Sequence, residues 1–398
     1  MKRTQLDKIK ELLSRGVEKV VVKKHLEQAL KSGKKLRVKF GIDPTGSKIH
    51  LGRAVPLWKL RVFQELGHQV VLIIGDFTAQ IGDASDKQAM RRTLSEKEVK
   101  ENMKDYIKQI SRILEMDKVE LHYNSEWLGR LKAKDLLALA MKFTAQQMIQ
   151  RRNFKERWDR GKPIGLHELD YPLLQGYDSV AVKADVEIGG FDQLFNLEIG
   201  REVQRIFGQP PQDIMLFQML PGLDGRKMST SWGNVITIVD RPNQIYGKVM
   251  SMRDEMILEY FKLATRLPLK EIKKIERDLK SRKLHPKEAK SRLAREIVSL
   301  YYGEKAAEKA EKEFEKVFKE KKLPAKIPTF KLSEKEMSLL DVLSKTKLVA
   351  SKSEAKRLIL QKGVKINGEV QKDWQKVLEI KEGIIIQVGK RRFVKIKT

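Results

Sequence analysis

The sequence predicts an α/β protein whose first part is a doubly wound parallel sheet, followed by an all-helical region and a small α+β module. Short apolar runs at residues 36–43, 69–75, 119–123, 184–189 and 213–218 alternate with helical stretches, the pattern of strands joined by crossover helices. The run Val71–Ile74 has no polar alternation, as a parallel strand covered on both faces requires. Beyond Arg241 the strand signals stop, and helical sequence rich in Lys and Glu takes over as far as Leu332. Ligands of such a sheet sit at the carboxyl ends of its strands.

In chain order, residues 4–31 place Leu6, Ile9, Leu12, Leu13, Val17, Val20 and Val21 at helical spacing, so the opening segment reads as an amphipathic helix or helix pair that serves packing. The first strand ends in Gly41-Ile-Asp-Pro-Thr-Gly-Ser-Lys-Ile-His-Leu-Gly-Arg53, and an apolar-periodic helix from Leu51 to Leu66 follows. A strand, a turn of small residues and a helix start make a phosphate cradle, because the helix N-terminus offers free N–H groups and the positive end of its dipole. The segment is neither a Walker loop nor a dinucleotide fingerprint. Standing alone, His50 reads as structural more readily than catalytic.

The last strand of the sheet runs into Pro221-Gly-Leu-Asp-Gly-Arg-Lys-Met-Ser-Thr-Ser231. Glycines and serines around Lys227 predict a mobile cationic loop, suited to a transition state that gathers charge on phosphate. By itself it would be a polar surface turn. Pro324 and Pro328 then punctuate a basic, linker-like stretch. The predicted division is 1–235 for the sheet domain, 236–325 for the helical domain, 326–336 for a linker and 337–398 for the last module. In that module Leu339–Leu343 and Ser353–Leu360 read as helix, Gly363–Gly368 and Gly383–Val388 as strand, and Asn367-Gly368 as a hairpin turn.

Composition narrows the function. The 398 residues carry 82 Lys and Arg against 53 Asp and Glu, a net charge of +29 that favours polyanions such as nucleic acid over a lipid surface. With no cysteine there is neither a disulfide framework nor a thiolate zinc site. No apolar run suffices for a transmembrane helix, and Met1–Lys10 is charged rather than signal-like, so a cytoplasmic protein is expected.

Together, His50-Leu-Gly-Arg53 and Lys227-Met-Ser-Thr-Ser231 resemble the paired signatures of class I aminoacyl-tRNA synthetases. Gly41-Ile-Asp-Pro-Thr45, Gly75-Asp-Phe-Thr-Ala-Gln-Ile-Gly-Asp83, Tyr171-Pro-Leu-Leu-Gln-Gly-Tyr-Asp178 and Gly189-Gly-Phe-Asp-Gln193 resemble segments of the bacterial-type tyrosyl-tRNA synthetase family, and the similarity spans nearly the whole chain. This resemblance implies a Rossmann-like doubly wound catalytic domain, an all-helical anticodon-side domain, a small α+β RNA-binding module and a homodimer. It implies the substrates L-tyrosine, ATP with Mg2+, and tRNA(Tyr), with no metal bound by the protein itself.

The resemblance also assigns residues. Thr45 and His50 would hydrogen-bond the terminal phosphates, while Lys227 and Lys87 would stabilise departing pyrophosphate. Gly41, Asp43, Gly52, Gly190, Asp192, Met228 and Ser229 complete the ATP set, Asp192 accepting the ribose hydroxyls. Thr78, Asp83, Tyr171 and Gln175 would clamp the tyrosine ammonium, Gln193 would face the carboxyl end, and Asp178 would accept the phenol hydroxyl. Tyr171, Gln175 and Asp178 sit at i, i+4 and i+7, one helix face. A site that bonds a hydroxyl rejects the analogue lacking it, and tyrosyl-tRNA synthetases are themselves the standard illustration, at about 10^5 against phenylalanine. In the last module Lys352, Lys356 and Arg357 would meet RNA phosphates, and Lys142, Arg151 and Arg152 would line an acceptor-stem path.

Three positions depart from the family pattern. Arg53 stands where a second histidine is usual, Thr230 where a second lysine is usual, and Lys39 where some members carry a tyrosine that reads the hydroxyl. Arg53 either supplies the phosphate charge that Thr230 lacks or merely replaces a sugar contact. Rival readings are a tryptophanyl-tRNA synthetase and a non-catalytic RNA-binding protein on the same frame.

Overall fold

The computed structural model describes residues 3–83, 93–319, 327–332, 334, 336–389 and 392–398. Residues Met1–Ala307 form one compact unit and Glu308–Thr398 another.

A six-stranded sheet organises the first unit in the order β1-β6-β5-β2-β3-β4, with β1 (Val17–Val21), β2 (Arg37–Ile42), β3 (Gln69–Ile74), β4 (Val119–Tyr123), β5 (Val186–Gly190) and β6 (Asp213–Phe217). Strands β2 to β6 pair in parallel, and β1 closes the edge antiparallel to β6. Val70 to Ile74 of β3 are all buried, which explains a run without polar alternation. Strand order reverses between β2 and β5, so the chain leaving each diverges and a crevice opens at their carboxyl ends.

The five strands read from sequence are present. The helical reading of residues 4–31 is corrected at its centre. Helices Arg3–Leu12 and Lys23–Lys31 flank β1, which Gly16 starts with a positive φ of 61° that ends the preceding helical turn. Val17, Val20 and Val21 supply β-branched side chains, and pairing with β6 outweighs a local helical pattern.

Helices Pro242–Met250, Ile257–Ala264, Leu269–Lys280 and Pro286–Tyr302 follow, as expected for a helical region. The predicted boundary at 235/236 falls inside the first compact unit rather than at a break in packing. Tyr260 Oη donates to the Pro221 carbonyl at 2.7 Å, and Arg15 Nε donates to the Lys262 carbonyl at 2.9 Å.

In the second unit, helices Leu339–Lys345 and Lys352–Leu360 share a core with a five-stranded sheet. Its order is β10-β9-β12-β13-β7, built from β7 (Thr329–Lys331), β9 (Val364–Ile366), β10 (Glu369–Val370), β12 (Ile385–Val388) and β13 (Arg392–Lys397). A separate pair joins β8 (Glu336–Ser338) to β11 (Val377–Glu379). Asn367 and Gly368 take φ values of 49° and 90° between β9 and β10, the left-handed pair a tight hairpin demands. The predicted linker 326–336 is corrected in part, since Thr329–Lys331 pairs in parallel with β13 and Glu336–Ser338 pairs with β11. Residues 326, 333 and 335 of that linker lie outside the described residues.

Candidate active site

The carboxyl ends of β2, β3, β5 and β6, with the helices that leave them, enclose a cavity of about 330 Å3. Lys87 lies outside the described residues. Every other residue expected to hold tyrosine or ATP lines this cavity.

At the phosphate end, the chain turns after Ile42 and His50 caps the helix Leu51–Glu65, its Nδ1 accepting the Arg53 backbone N–H at 3.3 Å. Burial, with the Arg53 and Lys227 cations nearby, pushes the His50 imidazole down to about 3, so the ring is neutral at physiological pH. With Nδ1 accepting, the single ring proton sits on Nε2, and His50 offers the cavity a neutral donor.

The Arg53 guanidinium donates to Thr45 Oγ1, to Tyr106 Oη at 2.6 Å and to the Asp43 carbonyl at 3.4 Å. It is therefore fixed beside the turn rather than swung into solvent.

The two signature segments touch. Met228 Sδ accepts the Gly52 N–H at 3.4 Å, and Leu51 N–H donates to the Ile236 carbonyl at 2.9 Å. Asn234 staples the cationic loop. Its Oδ1 accepts from Ser229 N at 2.8 Å, and its Nδ2 donates to Asp224 Oδ1 at 2.8 Å and the Lys227 carbonyl at 3.0 Å. Lys227 Nζ reaches Asp192 Oδ2 at 3.0 Å, so the expected phosphate cation and ribose acceptor face one another. A Cβ on Gly190 would meet Met219 Sδ at 2.7 Å, which keeps this wall thin.

At the opposite end, Tyr171, Gln175 and Asp178 do share one face of the helix Leu166–Ala181 and turn it into a cavity wall. Tyr171 Oη donates to Asp43 Oδ2 at 2.9 Å, and Thr78 Oγ1 donates to Asp43 Oδ1 at 2.8 Å. Glycine at 75 is required for this, because a Cβ there would stand 2.0 Å from Asp43 Oδ1. Asp83 accepts from Gln193 Nε2 at 2.7 Å and from Arg151 at 2.8 Å. Asn196 Nδ2 links Gln175 Oε1 at 2.9 Å to Gln193 Oε1 at 3.2 Å.

Asp178 is 3 % exposed and accepts from Trp127 Nε1 at 2.7 Å and Asn124 Nδ2 at 3.3 Å. Burial pushes its carboxyl up to about 7, while Lys39 and these two donors hold it from rising further.

Several of these partners are invisible in the sequence. Trp127, Asn124, Asn196 and Tyr106 belong to no motif, and only folding brings them to the residues that line the cavity. Arg151 is corrected: it is buried against Asp83 rather than open to RNA, whereas Lys142 and Arg152 are exposed. In the second unit Lys352, Lys356 and Arg357 share an exposed helix. There Lys352 pairs with Asp341 at 2.6 Å, and Lys356 Nζ lies 3.8 Å from the Trp374 ring centroid.

Comparison with known proteins identifies the family. Residues 31–319 match the family described as tRNA synthetases class I (W and Y), and residues 318–396 match the tyrosine–tRNA ligase SYY-like C-terminal domain. The tyrosine–tRNA ligase of Moorella thermoacetica is 46 % identical over 97 % of this chain and 95 % of its own length. That of Thermotoga maritima is 45 % identical over 97 % and 96 %. Among solved structures, the tyrosyl-tRNA synthetase of Archaeoglobus fulgidus, complexed with L-tyrosine, superposes with a TM-score of 0.62 at 25 % identity, covering 77 % of this chain and 99 % of that one. The tryptophanyl-tRNA synthetase of Plasmodium falciparum shares the fold at 16 % identity and a TM-score of 0.57, covering 78 % and 89 %.

A doubly wound sheet with two signature segments meeting over its switch point thus belongs to the class I aminoacyl-tRNA synthetases. Within that class the chain belongs to the tyrosine–tRNA ligase family: it is an ATP-dependent enzyme that joins tyrosine to tRNA, and the tryptophan alternative is not favoured.

A neutral His50 makes a testable demand. His50→Ala is expected to lower tyrosine-dependent ATP–pyrophosphate exchange by about 10- to 100-fold, and His50→Asn, which keeps a cap and an N–H donor, to recover part of it. An ionisation between pH 5.5 and 7.5 that disappears in His50→Asn would contradict the neutral ring.

Proposed function

We propose that this cavity performs tyrosine activation with the residues assigned as follows. The observation that carries the assignment is the buried carboxyl of Asp178, at one end of a cavity whose other end holds His50, Arg53 and Lys227. Asp178 takes the phenol O–H. Asp83, Tyr171, Gln175 and Thr78 hold the ammonium, and Gln193 turns the carboxylate toward the α-phosphate. The tyrosine carboxylate is already ionised, so no base is needed: its oxygen bonds to the α-phosphorus as the bond to pyrophosphate breaks. Positioning and charge stabilisation supply the rate. The tRNA 3′ hydroxyl then attacks the activated carbonyl and AMP leaves.

Thr45, the neutral His50 donor and Lys227 would bind the phosphates, with Lys87 beside them, while Gly41, Asp43, Gly52, Gly190, Asp192, Met228 and Ser229 surround the nucleotide. Mg2+ would travel with the triphosphate. Arg53 extends the phosphate site, because it is held by Thr45 itself, and this favours a phosphate role over a sugar contact.

Lys352, Lys356 and Arg357 would meet tRNA phosphates from their shared helix, and residues 236–325 would serve the anticodon side. Leu137, Met141, Trp158 and Leu166 are exposed apolar side chains between residues 133 and 166, a surface suited to a second copy in a homodimer. A cytoplasmic location fits a chain in which, among the described residues, no helix is long and apolar enough to cross a membrane.

Exchange measured with tyrosine, phenylalanine and tryptophan tests the specificity assignment. The native chain is expected to use tyrosine alone, and Asp178→Asn to lose about 100-fold or more in kcat/KM for tyrosine with little change for phenylalanine. An unchanged preference in Asp178→Asn would remove Asp178 from its role. For Arg53, Arg53→Ala is expected to raise KM for ATP or lower kcat by about tenfold, with Arg53→His between it and the native enzyme. Equal, near-normal ATP dependence in both variants would end the phosphate role.

A further inference from the structure

A buried ion pair lies beneath the wall that carries Gln175 and Asp178. Lys39 of β2 and Glu187 of β5 are register partners in the middle of the sheet, and their side chains are 0 % and 1 % exposed. Lys39 Nζ donates to Glu187 Oε1 at 3.0 Å, Ser179 Oγ at 2.7 Å and the Gln175 carbonyl at 2.8 Å. Three acceptors use all three N–H bonds. Glu187 in turn accepts from Gln175 Nε2 at 3.1 Å, from Ser179 Oγ at 3.1 Å and from Gln212 Nε2.

Stability does not explain the pair. Well-packed apolar residues often replace a buried ion pair without loss of stability, because desolvating two charges is costly. One step along the same ladder the sheet does just that, with Val38 opposite Val186. Lys39 also takes no part in lining the cavity, so it is not a substrate contact.

What it does touch is the tyrosine wall. Its two grips on the helix Leu166–Ala181, at Gln175 and Ser179, bracket Asp178. Among the groups that favour the charged form of Asp178, Lys39 stands ahead of Trp127 and Asn124. The groups facing that carboxyl are Asn124 and Trp127 from one side, Lys39 and Glu187 from the sheet, and Tyr171 from its own helix. Glu187 opposes the effect of Lys39 but more weakly. The next titratable group outward is His122, whose ring lies 5.5 Å from that of Trp127 and which bonds Glu120 and Glu126.

We propose that Lys39, seated by Glu187, is a specificity-determining positioning residue that keeps Asp178 an acceptor-only carboxylate and fixes Gln175 in the clamp. A carboxylate has no proton to give and must receive one from its ligand, so it demands a phenol. A protonated carboxyl is far cheaper to leave unpaired against a phenylalanine ring. Lys39 thus acts on selection through Asp178, without meeting the substrate. This inference rests on Asp178 being the hydroxyl acceptor.

The test is the pH profile of kcat/KM for tyrosine in pyrophosphate exchange on the full chain, from pH 5.5 to 9. Ionised Asp178 is the stronger acceptor and carries no competing O–H donor, so the native profile is expected to fall below an apparent pKa near 7. Lys39→Met/Glu187→Gln removes both charges, so neither is left buried without its counter-ion, and the limb is expected to move up by about one unit. At pH 7 that is roughly a fivefold loss for tyrosine, recovered by pH 9, with KM for ATP unchanged and a smaller tyrosine-to-phenylalanine ratio. Lys39→Arg, which keeps the charge at the same strand position, is expected to hold the limb near its native place.

A double variant that loses thermal stability, or activity equally at every pH, while its limb stays put would overturn the inference and show a structural role only. So would a limb that vanishes in His122→Gln. A native limb that persists in Asp178→Asn would instead sink the assignment of Asp178 itself, so the two failures are distinguishable.

Discussion

On the proposed reading, the constraint around which this active site is built is the charge of one carboxyl, Asp178, in a dry pocket. Asp178 is deep enough that water contributes little, so its charge depends on what surrounds it: two N–H donors above and a buried lysine below. These come from two places in the chain, Trp127 and Asn124 from the segment just after β4 and Lys39 from β2. If Asp178 takes the phenol as proposed, recognition of one hydroxyl would engage the centre of the sheet and account for polar residues at strand positions that would otherwise be apolar.

The nucleotide end follows a contrasting logic. Its cations need reach rather than depth, and Lys227 sits on a loop held by one asparagine while Arg53 is held on a helix start. Met228 resting on Gly52 ties loop to helix through a weak contact that can part and re-form, as a site that must admit ATP and release pyrophosphate requires. Neutral His50 suits the same surface, since it donates without adding to a charge already supplied by Arg53 and Lys227.

Much of this was legible in the sequence because local pattern and tertiary outcome agree there. Buried parallel strands announce themselves as unbroken apolar runs, and the spacing of Tyr171, Gln175 and Asp178 commits them to one helix face. Reading failed where long-range pairing overrode local pattern. Residues 17–21 look helical but pair with β6, and residues 329–331 look like linker but join β13. Among site residues, Trp127, Asn124, Asn196 and Tyr106 carried no signal, since each acts through a partner distant in the chain. Arg151 looked like one basic residue among many until its burial against Asp83 gave it a place, and Lys39 was a departure without a role until β5 supplied its partner.

The central claim is that one cavity holds a phenol at Asp178 and a triphosphate between His50 and Lys227. A crystal structure of the chain with tyrosine and a non-hydrolysable ATP analogue tests it most directly. The account predicts the phenol oxygen within hydrogen-bond distance of Asp178, the ammonium against Asp83 and Gln175, and the γ-phosphate among Thr45, His50 and Arg53. Tyrosine bound with its hydroxyl pointing away from Asp178, or a nucleotide seated outside the meeting point of the two signature segments, would contradict it.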